Sequence, residues 1–255
     1  MINIQEFAAR LDDAARNATA IEQIDAESEM SLEQAYAIQA TSIQRRVSRG
    51  EQRLGVKMGF TSRAKMIQMG IDDVIWGRLT SGMRIEEGSS IKLTNYIHPR
   101  IEPELAFLLK KPLVGNVSAA EALAAVEAVA PALEIIDSRY RNFKFSLPDV
   151  IADNASSTGF VVGAWNKPGI NLDNLGMVMS FNGCPQHMGS SAAILGNPLR
   201  ALVAAARLAA EADEPLQAGS IVLAGAATPA EWMLPGTYVR LDVQHLGSIG
   251  FHVEE

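Results

Sequence analysis

The sequence predicts an α+β fold, a mixed β core or barrel preceded by a helical layer. Three observations carry that expectation. The first fifty residues show helical periodicity, the residues after Gly50 fall into short apolar runs broken by glycine-rich loops, and only two helical patterns interrupt those runs. The division expected is a helical layer or small N-terminal domain at residues 1–50 and a β-rich main domain at residues 51–255.

Taken in order, Ile4, Phe7 and Leu11 recur at helical spacing. Ser31 with Gln34 has the form of a capping box, with Leu32, Tyr36, Ile43 and Val47 on one stripe and Gly50 to stop it. Both stripes are modest, which suits an outer layer. Strands are expected at 101–109, 133–137, 159–163, 177–181, 221–224 and 238–243. Asn182-Gly183, between Phe181 and Cys184, signals a tight hairpin. One helix is expected from Ser118, with Glu121 in the capping-box position and Leu123 and Val126 on its stripe. Another is expected from Asn197-Pro198, carrying Leu199, Leu202, Val203 and Ala206.

Composition narrows the functions open to this fold. The chain has 255 residues, 48% of them hydrophobic, enough for one large domain or a main domain with a small attachment. Its net charge is −7, and the densest basic group, Arg45, Arg46 and Arg49, is short, so no nucleic-acid partner is expected. A small acidic substrate needs only one or two cations and stays open. The single cysteine, Cys184, rules out a disulfide within the chain and any cysteine-built cluster. The first residues carry Glu6, Asp12 and Asp13 and lack the apolar centre of a signal peptide, and no run of about 18 predominantly apolar residues is evident. A cytoplasmic protein without a membrane partner is expected.

The chemistry concentrates in three places. On a strand, Glu102 and Glu104 share one face about 7 Å apart, and the run that follows them is apolar on both faces. A third carboxylate, Glu134, interrupts the apolar run Pro131–Ile136. Buried carboxylates that converge need a cation between them, and all-oxygen ligation selects a hard ion such as Mg²⁺ or Mn²⁺. A solvated edge strand, which Pro103 would suit, is an equal alternative on spacing alone. Lys57, between Val56 and Met58 in a glycine-bracketed segment, is the second place. It suits a cation for a substrate carboxylate, an acid–base group with a lowered pKa, or a lysine that snorkels off a strand end. The third is the polar run Asp153-Asn154-Ala155-Ser156-Ser157, which in isolation reads as a capped turn. His98, His187, His245 and His252 are scattered, without ligand spacing.

Gly55-Val56-Lys57-Met58-Gly59-Phe60-Thr61-Ser62-Arg63-Ala64-Lys65-Met66, Gly70-Ile71-Asp72-Asp73-Val74-Ile75-Trp76-Gly77 and His98-Pro99-Arg100-Ile101-Glu102-Pro103-Glu104 occur here together. So do Leu133-Glu134-Ile135-Ile136-Asp137-Ser138-Arg139, the Asp153–Ser157 run and Ala218-Gly219-Ser220-Ile221-Val222-Leu223-Ala224-Gly225. In combination they resemble the hydratase/decarboxylase family of aromatic meta-cleavage pathways over nearly the whole chain. The segments Arg63–Gly70 and Ile75–Leu79 are similar to its decarboxylase branch. The resemblance implies a fumarylacetoacetate hydrolase-like fold, with Mg²⁺, or Mn²⁺, held by Glu102, Glu104 and Glu134. It also implies an active-site role for Lys57 and a pocket wall containing Asp153, Asn154, Ser156 and Ser157. Arg63, Lys65 and Arg78 become candidates for the second carboxylate of a small 2-oxo dicarboxylate substrate.

The implied reaction is metal-dependent decarboxylation of 2-oxo-3-hexenedioate to 2-hydroxypenta-2,4-dienoate and CO₂. Three alternatives accompany it: a hydratase, a C–C hydrolase of the same fold, and a non-catalytic partner that stabilises a hydratase. A hydrolase calls for a His/Glu pair, of which the scattered histidines give no sign. Implied partners are further copies of the chain in a homo-oligomer and the homologous hydratase in a complex.

Overall fold

The structure, a computed structural model, describes residues 2–25 and 29–255. Helices come first. α1 (Ile4–Arg16) is capped by the Asn3 side chain, and α2 (Leu32–Ser48) starts on the expected capping box, with Ser31 and Gln34 bonded in both directions. α2 buries Ala35, Ile38, Gln39 and Ile43, whereas Leu32, expected on that stripe, is exposed at its first turn. Asp12, buried on α1, is held by Arg45 at 2.8 Å and Arg49 at 2.6 Å, so much of the densest basic group is spent joining the two helices.

The next elements are β1 (Arg53–Gly59), α3 (Arg63–Met69), β2 (Ile75–Thr80), β3 (Ser90–Lys92), β4 (Arg100–Leu109), α4 (Ala119–Ala125) and β5 (Val126–Ile136). After them come α5 (Leu147–Ala152), β6 (Ser157–Val162), β7 (Gly176–Phe181), β8 (Cys184–Ser190) and α6 (Pro198–Glu211). The chain closes with β9 (Ile221–Leu223), β10 (Glu231–Trp232), β11 (Thr237–Val243) and β12 (Gly247–Glu254). A seven-stranded sheet runs β2-β1-β9-β4-β5-β6 with β10 added to β4, and a five-stranded sheet runs β3-β12-β11-β7-β8. The fold is the expected α+β class, a curled mixed sheet with helices around it.

Between the sheets, Leu105, Phe107, Leu133, Val239, Leu241 and Phe251 are fully buried in one core. The odd-numbered residues of β4 supply that core. Its even-numbered residues, Arg100, Glu102 and Glu104, face the other way, and farther along that face Ala106 packs in a separate cluster with Ile43, Leu79 and Phe160. The N-terminal helices close on β2 and α5 through Ala8, Leu11 and Ile38, which cluster with Ile75, Val150 and Ile151.

Three sequence expectations need correction. The helix from Ser118 ends at Ala125 and buries Ala122 and Ala125, while Leu123 is exposed and Val126 already belongs to β5. Pairing with β4 and burial of Val126 and Ala128 onward make β5 a strand from its first residue, a tertiary effect that overrides helical periodicity. Second, β4 is not an edge strand. Pro103 fits inside it because its carbonyl accepts from Ala227 N–H at 2.9 Å, so the missing donor faces the 224–227 loop, where no strand carbonyl stands opposite. Third, Ser191–Glu211 is by length and composition apolar enough to cross a membrane. It is a short turn leading into α6, whose Ala201, Leu202, Ala205, Ala206 and Ala209 are buried in the core.

Candidate metal centre and active site

Strand register assembles the carboxylates. Glu102 of β4 stands directly opposite Glu134 of β5, and Glu104 stands opposite Ala132. All three share one face, and one oxygen from each lies within 4.8 Å of the others. Like charges opposite one another destabilise a sheet, so a cation is needed to hold this arrangement. Glu104 and Glu134 are fully buried, whereas Glu102 keeps an edge toward solvent. Burial, opposed by Lys57 and reinforced by Glu134, lifts the Glu102 carboxyl to about 7. Burial and Glu134 raise Glu104 well above the ordinary carboxylate range.

Each buried carboxylate has one oxygen fixed and one without a hydrogen bond. Glu104 Oε2 accepts from Gly225 N–H at 2.8 Å, and its Oε1 is orphaned. Glu134 Oε1 accepts from the Ser157 hydroxyl at 2.7 Å, and its Oε2 has no hydrogen bond. Lys57 Nζ lies 3.0 Å from that Oε2 in a buried ion pair and donates to the Ala155 carbonyl at 3.1 Å. Fully ionised, three carboxylates and one ammonium carry two net negative charges and leave free oxygens. That donor set fits a hard divalent ion.

Lys57 is buried on β1, so it does not snorkel. Burial disfavours its charge, but Glu134, Glu102 and Glu104 together outweigh burial and hold its pKa above the ordinary lysine value. The lowered pKa open to it on sequence grounds is therefore not found.

The run from Asp153 is built to reach this centre. Asn154, Ala155 and Ser156 have φ of 53°, 51° and 59°, three successive left-handed residues that are not glycine. Such backbone costs roughly 1–2 kcal/mol per residue and persists only where surroundings impose it. Here both Asn154 amide groups are clamped to the Arg78 backbone, at 2.7 and 2.9 Å, and Asp137 N–H donates to the Ser156 carbonyl at 2.8 Å. The result aims the Ala155 carbonyl at Lys57 and the Ser157 hydroxyl at Glu134.

Fold and centre agree with relatives. Residues 63–254 match the family model described as fumarylacetoacetate hydrolase C-terminal. The chain belongs to the fumarylacetoacetate hydrolase family. It is 61% identical to a 4-oxalocrotonate decarboxylase of Pseudomonas sp over 98% of both chains. It is 36% identical to a 2-keto-4-pentenoate hydratase of Paraburkholderia xenovorans strain LB400, over 87% of this chain and 83% of that one. A solved structure of 4-oxalocrotonate decarboxylase from Pseudomonas putida G7, complexed with magnesium and adipate, superposes with a TM-score of 0.96, at 35% identity over 99% of both chains.

Within this family member, the expected site residues divide. Glu102, Glu104, Glu134, Lys57, Ser157 and the Ala155 carbonyl come together. Asp153 lies behind them, its carboxylate engaged by the Arg139 backbone N–H at 2.9 Å and by its guanidinium, and burial lifts it to about 6 against that pairing. Asn154 has both amide groups committed to β2, and the Ser156 hydroxyl is buried without a partner. Arg63 is exposed on α3, as is Lys65. Arg78 is excluded as a substrate cation, because Glu214 and Gln39 take its guanidinium at 2.8 and 2.6 Å. A His/Glu pair does exist, His187 with Glu231 at 2.8 Å. Register sets Glu231 beside Ile101, on the face of β4 away from Glu102. Sequence reasoning also passed over Gly225 as a donor and Arg100 on the carboxylate face. The alternation Arg100-Ile101-Glu102-Pro103-Glu104 would have found the second.

Proposed function

We propose that this chain decarboxylates 4-oxalocrotonate (2-oxo-3-hexenedioate) to 2-hydroxypenta-2,4-dienoate and CO₂, with Mg²⁺, or Mn²⁺ in its place, as the metal. The observation that carries this reading is the buried cluster of Glu102, Glu104 and Glu134, with Glu104 Oε1 orphaned, in a chain so close over its length to a 4-oxalocrotonate decarboxylase. Glu102, Glu104 and Glu134 would hold the ion, which would supply Lewis-acid polarisation to the 2-oxo acid end of the substrate.

The chain's own residues do the rest. Ser157 and Gly225 each fix one oxygen of Glu134 and Glu104, so the ligands are oriented before binding. Lys57, held cationic by the carboxylates, stabilises charge that grows on the C2 oxygen and delivers a proton from Nζ to it, giving the enol. Loss of neutral CO₂ needs no base, only orientation in a dry pocket. Ser156 lines that pocket, and Asp153 and Asn154 position it through Arg139 and Arg78. In the cell the chain acts in the cytoplasm as a homo-oligomer and hands its product, a hydratase substrate, to a hydratase bound to it.

The test is direct. Purified protein with Mg²⁺ and 2-oxo-3-hexenedioate should release CO₂ and the dienol, and EDTA should stop it. Rapid hydration of 2-hydroxypenta-2,4-dienoate by the isolated chain, with the dicarboxylate untouched, would replace this reading with the hydratase.

A further inference from the structure

The carboxylate face of β4 carries a cation one alternation away from Glu102. Arg100 and Glu102 are two residues apart on the strand, so their Cα atoms are about 7 Å apart on the same face. The guanidinium carbon of Arg100 lies 4.1 Å from the Trp232 ring centre and 4.4 Å from that of Phe143. Trp232 reaches it because β10 pairs with β4 in a register that sets Trp232 opposite Arg100. The two rings stand edge to face, 6.5 Å apart and 83° to each other, so the guanidinium sits in the corner they form, with part of its N–H edge not turned to either ring. Its Nε is buried without a hydrogen-bond partner, and no ion pair engages it among the described residues. Glu231 offers no escape, since its carboxylate already pairs with His187.

A clamped guanidinium whose buried Nε lacks an acceptor is costly unless something completes it. The partner that suits its edges is a carboxylate, taken bidentately. We propose that Arg100 is the specificity-determining residue that receives the distal carboxylate of the dicarboxylate substrate, the one that leaves as CO₂, while the oxalo end sits at the three glutamates. This rests on the decarboxylase reading for the identity of the substrate. Arg63 and Arg78, favoured on sequence grounds, are exposed and already paired, respectively.

The contact belongs to the ground state. It is present in the substrate and lost as CO₂ departs without charge, so the product leaves without it. A group that binds the ground state more than the transition state sets KM and does not raise kcat. Arg100→Gln should therefore raise KM for 2-oxo-3-hexenedioate about 10- to 100-fold, the scale of a charge-assisted hydrogen-bonded pair, with kcat unchanged or raised.

The decisive measurement is binding to the Mg²⁺-loaded protein by calorimetry, with two probes that differ only at the distal end. These are 2-oxoadipate and 2-oxohexanoate. The wild type should prefer 2-oxoadipate, and Arg100→Gln should erase that preference while Mg²⁺ affinity stays the same. Arg100→Lys, which keeps the charge but not the stacked fork, should recover part of it. Three results would overturn the inference: an unchanged preference in Arg100→Gln, equal weakening of both probes, or loss of the preference in Lys65→Ala instead. Turnover is not needed for this readout. A wild type that prefers 2-oxoadipate through Arg100 yet releases no CO₂ would fail the decarboxylase reading and leave the subsite standing.

Discussion

Lys57 shows how strongly one residue's role depends on partners far away in sequence. Its contacts, Glu134 and Ala155, come from two other segments, and together they turn a lysine on an apolar strand into a fixed ammonium. Lys57→Met should cut turnover about 100-fold or more, the scale of one lost proton-transfer or electrostatic group. Mg²⁺ affinity should survive, because three uncompensated carboxylates remain; its collapse in calorimetry would move Lys57 from catalysis to ligand support. Glu102 sets the pH dependence of metal binding. Its carboxyl is raised to about 7, so it holds a proton below that pH and is ionised above it. Mg²⁺ must displace the proton, so affinity should fall as pH drops through about 7, and binding at pH 6.5 should release more protons than binding at pH 8.5, with Glu104, also raised, adding to the release. Titration in two buffers of different ionisation heat checks this.

At the scale of elements, the left-handed run 154–156 and strand β2 act as one piece. Gly77, opposite Lys57 in the β1–β2 register, has no side chain because Asn154 lies against it: a Cβ there would come 2.6 Å from the Asn154 carbonyl oxygen, which is backbone. Gly77→Ala should destabilise the protein by about 2 kcal/mol and displace the run, lowering kcat through the Ala155 carbonyl and Ser157. A variant with wild-type melting temperature and turnover would show that the run can shift freely. On sequence alone the Ile75–Leu79 segment resembles the decarboxylase branch and Arg78 is a candidate substrate cation. In the folded chain the segment serves the run instead. Its glycine makes room, its Arg78 backbone clamps Asn154, and its Arg78 guanidinium is tied to Glu214.

The whole molecule bears the strain of its centre. Three buried carboxyl groups beside one lysine can all ionise only at a cost, which protonation of Glu102 and Glu104 relieves until a divalent ion joins them, so metal binding and folding stability are linked. At about 100 times its Kd, Mg²⁺ should stabilise the protein by roughly 2.7 kcal/mol, several degrees in Tm for a chain of this size. Glu104→Gln keeps the shape and the acceptor for Gly225 while removing a group whose ionisation burial and Glu134 oppose. Without metal it should melt no lower than the wild type, and it should lose the Mg²⁺-dependent rise along with activity. A full Mg²⁺ shift in Glu104→Gln, read by calorimetric scanning, would take Glu104 out of the ligand set.

Local rules in the sequence determined much of this. Alternation put Glu102 and Glu104 on one face, because side chains on a strand repeat every second residue whatever surrounds it. The capping boxes at Ser31 and Ser118 marked helix starts, since they satisfy donors within four residues. What local rules leave open is which segments meet. Glu104 finds Gly225 across 121 residues, and Lys57 finds Ala155 across 98. Only strand order makes β4 central, turns its two glutamates inward beside Glu134, and spends Arg78 on Glu214 while leaving Arg100 in the corner of two rings. Those outcomes depend on pairing between distant strands, whose register is fixed by burial of the whole sheet and is written in no single stretch of the chain.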